Sequence, residues 1–203
     1  MAAFIWDLDG TLIDSYPVTL KALEATYRHF NLVYDQEYVE HYIIEQSIRQ
    51  LIQDLVSAGQ VEYRAFVDYL KQETAARDAE ILLMPHAKET LQVLQAQGAQ
   101  HFIYTHKDNS TYFVLENLGI RSYFQEVITI ENGFKRKPDS EAIDYLVDKY
   151  QLDKSNTYYV GDRLLDVEAA KKAGIKSLNL GIDSDGFNQR IQNLSEIYGD
   201  LYY

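Results

Sequence analysis

Asp7, Asp9, Asp162 and Asp166, together with Thr105 and Lys137, are the residues of this chain whose types and placement could do chemistry. Asp7 and Asp9 belong to Asp7-Leu8-Asp9-Gly10-Thr11, directly after the apolar run Ala2-Ala3-Phe4-Ile5-Trp6. With one residue between them in an extended segment, their side chains leave on the same side, and one site can use both. Such a pair is costly unless a cation neutralises it. Turn chemistry accounts for Asp9-Gly10 but not for Asp7. Asp162 and Asp166 complete an oxygen-rich donor set without His or Cys. Mg2+ is the matching cation, because it prefers octahedral oxygen coordination and completes its shell with waters and a substrate phosphate. A carboxylate can also attack phosphorus to give an aspartyl-phosphate, while a second protonates the leaving oxygen and then deprotonates water. Asp7 and Asp9 suit these two roles. The transferred phosphoryl group spreads negative charge over its oxygens, which calls for a hydroxyl, backbone N–H groups and an ammonium; Thr105 and Lys137 are available.

These residues can meet only if several elements end at one edge. After Ala2–Trp6, a short buried strand, Leu20, Leu23, Tyr27 and Phe30 recur at helical spacing behind Pro17. Residues 35–80 keep helical spacing throughout. A further helix carries Leu91 and Leu94 and stops at Gly98. From there strand and helix alternate. The strands are His101–Thr105, Glu126–Ile130, Thr157–Gly161 and Lys176–Leu180, the last of them closing the core. The helices between them are Asn109–Leu118, one starting at Ser140, and Leu164–Ala173, which Gly174 closes. Alternation of this kind specifies an α/β fold, a parallel sheet with helices on both faces. Ligands of such sheets bind at the carboxyl ends of the strands, where Asp7, Asp9, Thr105, His106, Lys137 and Asp162 all stand. Residues 183–203 are expected to add a loop and one helix.

Composition removes other classes. With 19 basic and 31 acidic residues the net charge is −12, which repels nucleic acid and anionic membrane surfaces. Cysteine is absent, excluding disulfides, thiol nucleophiles and thiolate metal sites. No secretory leader pattern precedes the first strand and no apolar run is long enough to span a bilayer, so a cytoplasmic location is expected. The 17 tyrosines scatter without a repeat, ending in Leu201-Tyr202-Tyr203, and read as packing and amphipathic surface. His29, His41 and His86 are read as structural or exposed, without a carboxylate partner at ligand spacing.

The chain resembles the haloacid dehalogenase superfamily. Its four motifs occur in order: Asp7-Leu8-Asp9-Gly10-Thr11, Thr105 after an apolar strand, Lys137-Pro138, and Gly161-Asp162-Arg163-Leu164-Leu165-Asp166. The resemblance, to the phosphoglycolate-phosphatase-like branch, implies a Rossmann-like core over residues 1–14 and 81–203, with a small helical cap over 15–80 inserted after the first strand. It implies Asp7 as nucleophile and Asp9 as general acid and base. Mg2+ would be held by the side chains of Asp7 and Asp162 and the main-chain carbonyl of Asp9, with Asp166 reaching it through a water or standing behind the direct ligands. Phosphate would be held by Gly10, Thr11, Thr105, Lys137 and the backbone N–H of His106. The chain departs from the family at His106, where most relatives have Asn. Lys135 and Arg136 read as surface. In the cap, Arg49 could hold a substrate carboxylate or second phosphate in bidentate fashion, while Ser47 could simply cap the next helix.

The function expected is therefore a Mg2+-dependent phosphatase of a small phosphorylated metabolite. A dehalogenase is disfavoured because those relatives lack the second Asp of the first motif. A sugar-phosphate mutase shares the chemistry and is the alternative. A non-enzymatic receiver module also gathers acids, a Thr and a Lys around magnesium, but its phosphorylated Asp lies on a later strand.

Overall fold

The computed structural model of the protein describes residues 1–200; the Leu201-Tyr202-Tyr203 tail lies outside the described residues. The chain forms two compact units, one of residues 1–14 with 82–203 and one of residues 15–81.

In the first unit β1 (Ala3–Trp6) is buried at every position. Alternate side chains of a strand point to opposite faces, so a run buried throughout belongs at the centre of a sheet covered on both sides. The other strands of this sheet are β4 (Gln100–Tyr104), β5 (Glu126–Ile128), β6 (Thr157–Gly161), β7 (Lys176–Asn179) and β8 (Asn188–Arg190). Their order is β5-β4-β1-β6-β7-β8, and every neighbouring pair is parallel. From β1 the chain first builds outward through β4 and β5, then returns to the other side for β6, β7 and β8. The direction of winding reverses between β1 and β6, which is where open sheets of this type present a crevice for ligands.

One face of the sheet offers Ala3, Ile5, Phe102, Tyr104, Ile128 and Tyr159. Against them pack Ala142, Ile143, Leu146 and Val147 of helix α7 (Glu141–Tyr150), and Ala169, Ala170 and Ala173 of α8 (Leu164–Ala173). Helix α5 (Ala87–Ala96) buries Ala87, Leu91 and Leu94, and α6 (Ser110–Asn117) buries Val114 and Leu115. Among the aromatics of β1 and β4, Trp6 Nε1–H donates to His101 Nδ1 at 3.1 Å. Burial lowers His101 to about 4, so this imidazole is a neutral core group.

Two features depart from the sequence reading. The strand expected over Glu126–Ile130 ends at Ile128, because the Thr129 hydroxyl accepts the Glu131 N–H while Asn132 Oδ1 accepts the Thr129 N–H, closing a 3-10 turn over Ile130–Asn132. Lys176–Asn179 is not the last strand of the core. Asn188–Arg190 pairs beyond it, in the region expected to hold a loop and one helix; the short helix α9 (Glu196–Asp200) follows. A separate antiparallel ribbon joins β2 (Ile13–Asp14) to β3 (Leu82–Leu83), with Asp14 opposite Leu82. It lies where the chain leaves for residues 15–81 and where it returns.

The second unit is helical: α1 (Tyr16–His29), α2 (Gln36–Glu45), α3 (Ile48–Ser57) and α4 (Tyr63–Ala75). Leu20, Leu23, Tyr27, Val39, Ile43, Leu51, Ile52, Phe66 and Leu70 form its core. Asp35, Ser47 and Glu62 cap α2, α3 and α4, each side chain accepting a first-turn N–H that the helix leaves unpaired. Two of the histidines expected to lack a carboxylate partner have one. His41 pairs with Glu45 and, in the first unit, His86 with Glu89, each at 3.3 Å, because residues three or four apart share a helix face. Both pairs are exposed. No helix among the described residues is long and apolar enough to cross a membrane.

Candidate active site

Asp7 continues the β1–β6 ladder one residue past the strand, its N–H donating to the Val160 carbonyl at 2.8 Å. Trp6 is level with Val160 of β6 and Ile103 of β4. Asp7 is therefore level with Gly161 and Tyr104, and Asp162 and Thr105 stand one residue further out. Behind Asp9 the chain turns at Gly10, whose φ of 80° is left-handed backbone that a side chain would strain. The Gly10 N–H donates to the Ile13 carbonyl at 2.9 Å, folding the segment back towards β2.

Asp166 reaches the same place from the first turn of α8. A Cβ on Gly161 would lie 2.6 Å from the Asp166 carboxyl, so only glycine at the end of β6 admits that close approach. Asp166 Oδ2 accepts the Arg163 N–H at 3.1 Å, which fixes the carboxylate's orientation. One oxygen from each of Asp7, Asp162 and Asp166 lies within 4.8 Å of the others. The donor set is all carboxylate oxygen, the type that suits a hard divalent cation, and the cluster could hold one.

Lys137 enters this cluster from the loop after β5. Its ammonium donates to Asp7 Oδ1 at 2.8 Å, Asp166 Oδ1 at 2.7 Å and the Tyr159 hydroxyl at 3.0 Å. The Tyr159 hydroxyl in turn donates to the Tyr104 carbonyl at 3.0 Å. The rings of Tyr104 and Tyr159 both lie 5.4 Å from the Lys137 nitrogen, cation–π distance. Lys137 and Asp7 are each 6% exposed and Asp166 is fully buried.

Three carboxylates thus share one ammonium. Burial acts against the Lys137 charge, but Asp166 and Asp7 outweigh it and hold its pKa well above the ordinary lysine range. Burial drives Asp7 upward, with Asp166 and Asp162 adding repulsion that the Lys137 attraction does not cancel. Asp162 is raised to about 7, first by burial and then by Asp166. A divalent cation would supply the missing positive charge. The linkage has a definite sign: below about pH 7 the cation must displace a proton from Asp162, so its affinity should fall as pH is lowered, by up to about tenfold per unit for a single proton displaced. Without the cation, a carboxyl whose folded pKa lies above its unfolded value contributes stability at about pH 4 that is lost as pH rises through about 7. Calorimetric titration with Mg2+ at pH 5.5 and 8, beside thermal unfolding of the metal-free protein at both, checks the two slopes.

The Thr11 hydroxyl, buried, donates to Asp162 Oδ1 at 3.4 Å. Asp9 is partly exposed and is not among the three clustered carboxylates, although its charge bears on Asp162. The Thr105 hydroxyl accepts the Lys107 N–H at 3.1 Å. His106 is partly buried, and its Nε2 accepts the backbone N–H of Lys137 at 2.9 Å. Lys135 and Arg136 are exposed. Arg49 belongs to the other unit, exposed in the first turn of α3, with Ser47 as that helix's cap. Tyr159 and Tyr104, which the sequence presents as packing and amphipathic surface like the other tyrosines, have polar roles here. The available signal was a tyrosine inside a buried parallel strand next to the strand-end acids, since a buried hydroxyl needs a polar partner.

Several known proteins are similar to this chain. The family model described as haloacid dehalogenase-like hydrolase matches residues 4–180. A phosphoglycolate phosphatase of Vibrio cholerae is 32% identical over 185 residues, covering 86% of this chain and 82% of its own. A pyrophosphatase, PpaX, of Oceanobacillus iheyensis is 25% identical over 175 residues, covering 85% and 80%. The crystal structure of a hydrolase from Streptococcus pneumoniae TIGR4 superimposes with a TM-score of 0.68 at 30% identity, covering 98% of both chains.

Proposed function

As the chain belongs to the haloacid dehalogenase-like hydrolases, we propose that it is a Mg2+-dependent phosphatase releasing phosphate from a small phosphorylated metabolite through an aspartyl-phosphate on Asp7. The observation that carries this reading is the buried Lys137 ammonium between Asp7 and Asp166, beside Asp162 at the sheet's carboxyl edge. An Asp7 oxygen held in place by an ammonium is positioned as a nucleophile once the group is ionised, and the same ammonium offsets negative charge as a phosphoryl group arrives.

In the proposed reaction an Asp7 carboxylate oxygen attacks phosphorus, the bond from phosphorus to the leaving oxygen breaks, and Asp9 delivers a proton to that oxygen. Asp9, now deprotonated, takes a proton from water. The water oxygen attacks the phosphorus of the aspartyl-phosphate, phosphate departs and the Asp7 carboxylate is restored. The Thr105 hydroxyl, the His106 N–H and the Lys137 ammonium are assigned to the phosphoryl oxygens; the N–H groups of Gly10 and Thr11, expected there, donate instead to the carbonyls of Ile13 and Leu8. When bound, Mg2+ supplies charge neutralisation between nucleophile and phosphate. The side chains of Asp7 and Asp162 and the carbonyl of Asp9 are assigned to hold it, with Asp166 behind a water. For residues 15–81 the proposed role is a cap that selects substrate, with Arg49 available to a second anionic group. The support is the segment's place in the chain, separated from Asp9-Gly10-Thr11 by Leu12-Ile13-Asp14 alone.

Phosphate release from a panel headed by phosphoglycolate and pyrophosphate, the compounds that the relatives' names suggest, tests the reading. Purified protein with Mg2+ should hydrolyse at least one member, and chelation should stop it. Silence across the panel, p-nitrophenyl phosphate included, would overturn the proposal. Isomerisation of a sugar phosphate without phosphate release would replace it by a mutase.

A further inference from the structure

The geometry points to His106 as the positioning residue of Lys137: its neutral imidazole accepts the lysine's backbone N–H and so sets where the ammonium stands. This inference rests on the phosphatase reading. The contact is between Lys137 N and His106 Nε2, at 2.9 Å. An imidazole nitrogen that accepts carries a lone pair, so the ring's proton is on Nδ1. His106 does not act alone. Tyr104, two residues earlier on the same strand end, donates its hydroxyl to the Lys135 carbonyl at 2.8 Å. Two side chains flanking Thr105 therefore pin two backbone groups of the loop 135–137 to the end of β4.

The effect on chemistry follows from what that loop carries. The Lys137 ammonium must meet Asp7 Oδ1, Asp166 Oδ1 and the Tyr159 hydroxyl within 2.7–3.0 Å, and each of those acceptors is fixed from β1, α8 or β6. The lysine's own backbone is on a loop. A tether at its Cα end converts a long flexible side chain into a preorganised charge, whereas a shift of about 1 Å at such a site can cost about a hundredfold in rate. The acceptor state is also protected from protonation. Burial, followed by the charges of Lys137, Arg136 and Arg163, lowers His106 to about 2. Nε2 is already occupied by the Lys137 N–H, which leaves no acceptor free for general-base work.

His106→Gln and His106→Leu separate this role from mere packing. The glutamine carbonyl oxygen is as many bonds from Cβ as Nε2 is, so it can accept the same N–H, whereas leucine keeps bulk without an acceptor. His106→Gln is expected to retain about five- to tenfold more kcat than His106→Leu. His106→Leu should lose about ten- to a hundredfold in kcat with KM changed less than about twofold, because the ammonium matters most as charge develops on the phosphoryl group. Equal kcat in both variants, or a loss in KM alone, would overturn the assignment. Nitrogen NMR of the native protein tests it independently of any variant's folding: His106 Nε2 should give the shift of an unprotonated ring nitrogen from pH 5 to 8. A proton on Nε2, or a titration in that range, would overturn it as well. Should the native protein hydrolyse nothing, the phosphatase reading fails while the NMR result still decides the His106–Lys137 link.

Discussion

Replacement of Asp7 by Asn is expected to abolish phosphate release while leaving thermal unfolding of the metal-free protein unchanged or shifted slightly upward. Deleting a nucleophile removes the covalent route altogether, and losses of about 10^4-fold or more are the usual scale for such groups. The fold has no comparable stake in the charge. An Asn side chain at position 7 keeps an oxygen for the Lys137 ammonium, whose second carboxylate partner, Asp166, is untouched. It also removes one negative charge from a cluster in which burial already opposes ionisation of Asp7. Steady-state phosphate release and a thermal melt of the same preparation decide the matter. Turnover near the native rate would move the nucleophile to another residue, and a collapse of the melt would mean that Asp7 is structural.

Lys137→Met should do the reverse to stability. Methionine roughly fills the volume, but the buried carboxylates of Asp7 and Asp166 then face each other with no cation between them. Breaking a buried ion pair from one side costs about 3–5 kcal/mol. In a chain of 203 residues that corresponds to a fall in Tm of about 10 °C. The loss should depend on pH with a predictable sign. Without the lysine the Asp7 carboxyl, already raised by burial, rises further above its unfolded value, so the variant should regain stability as pH falls and Asp7 protonates. Mg2+ should recover part of it at neutral pH by binding the folded state alone. Melts at pH 5 and 7.5, with and without Mg2+, test all three statements. A variant as stable as the native protein at neutral pH without metal would show that the carboxylates tolerate one another, and the electrostatic account of the site would fall with it.

The central strands were legible because burial on both faces demands unbroken apolar runs, as in Phe4-Ile5-Trp6 and Tyr158-Tyr159-Val160. β8 was not, since Asn188-Gln189-Arg190 is a polar edge strand held by backbone pairing to β7 and has no apolar pattern to read. Thr129 ended β5 early through a side-chain hydrogen bond, a local competition that β propensity does not register. At the site, the residue types and strand-end positions of Asp7, Lys137 and Asp162 pointed to one edge, and the sheet register brings them there. The link from His106 to Lys137 spans 31 residues of sequence and depends on loop geometry, so no spacing rule could reveal it. Tyr159 was hidden for a different reason. A strand tyrosine is packing by default, and only the register decides that its hydroxyl meets an ammonium.

The two-residue ribbon of β2 and β3 has a consequence for how such a protein can evolve. Asp14 and Leu82 are partners across it, so residues 15–81 leave and re-enter at one clasped point. Seen from the sheet, everything between them is a single long loop whose ends are already tied. The entropy of closing a loop grows only with the logarithm of its length, about 0.6 kcal/mol for each doubling. The clasp therefore makes the segment an exchangeable part: it could shrink, grow or be traded for another fold at little thermodynamic cost, while strand order, register and the carboxylates at the sheet's edge stay as they are.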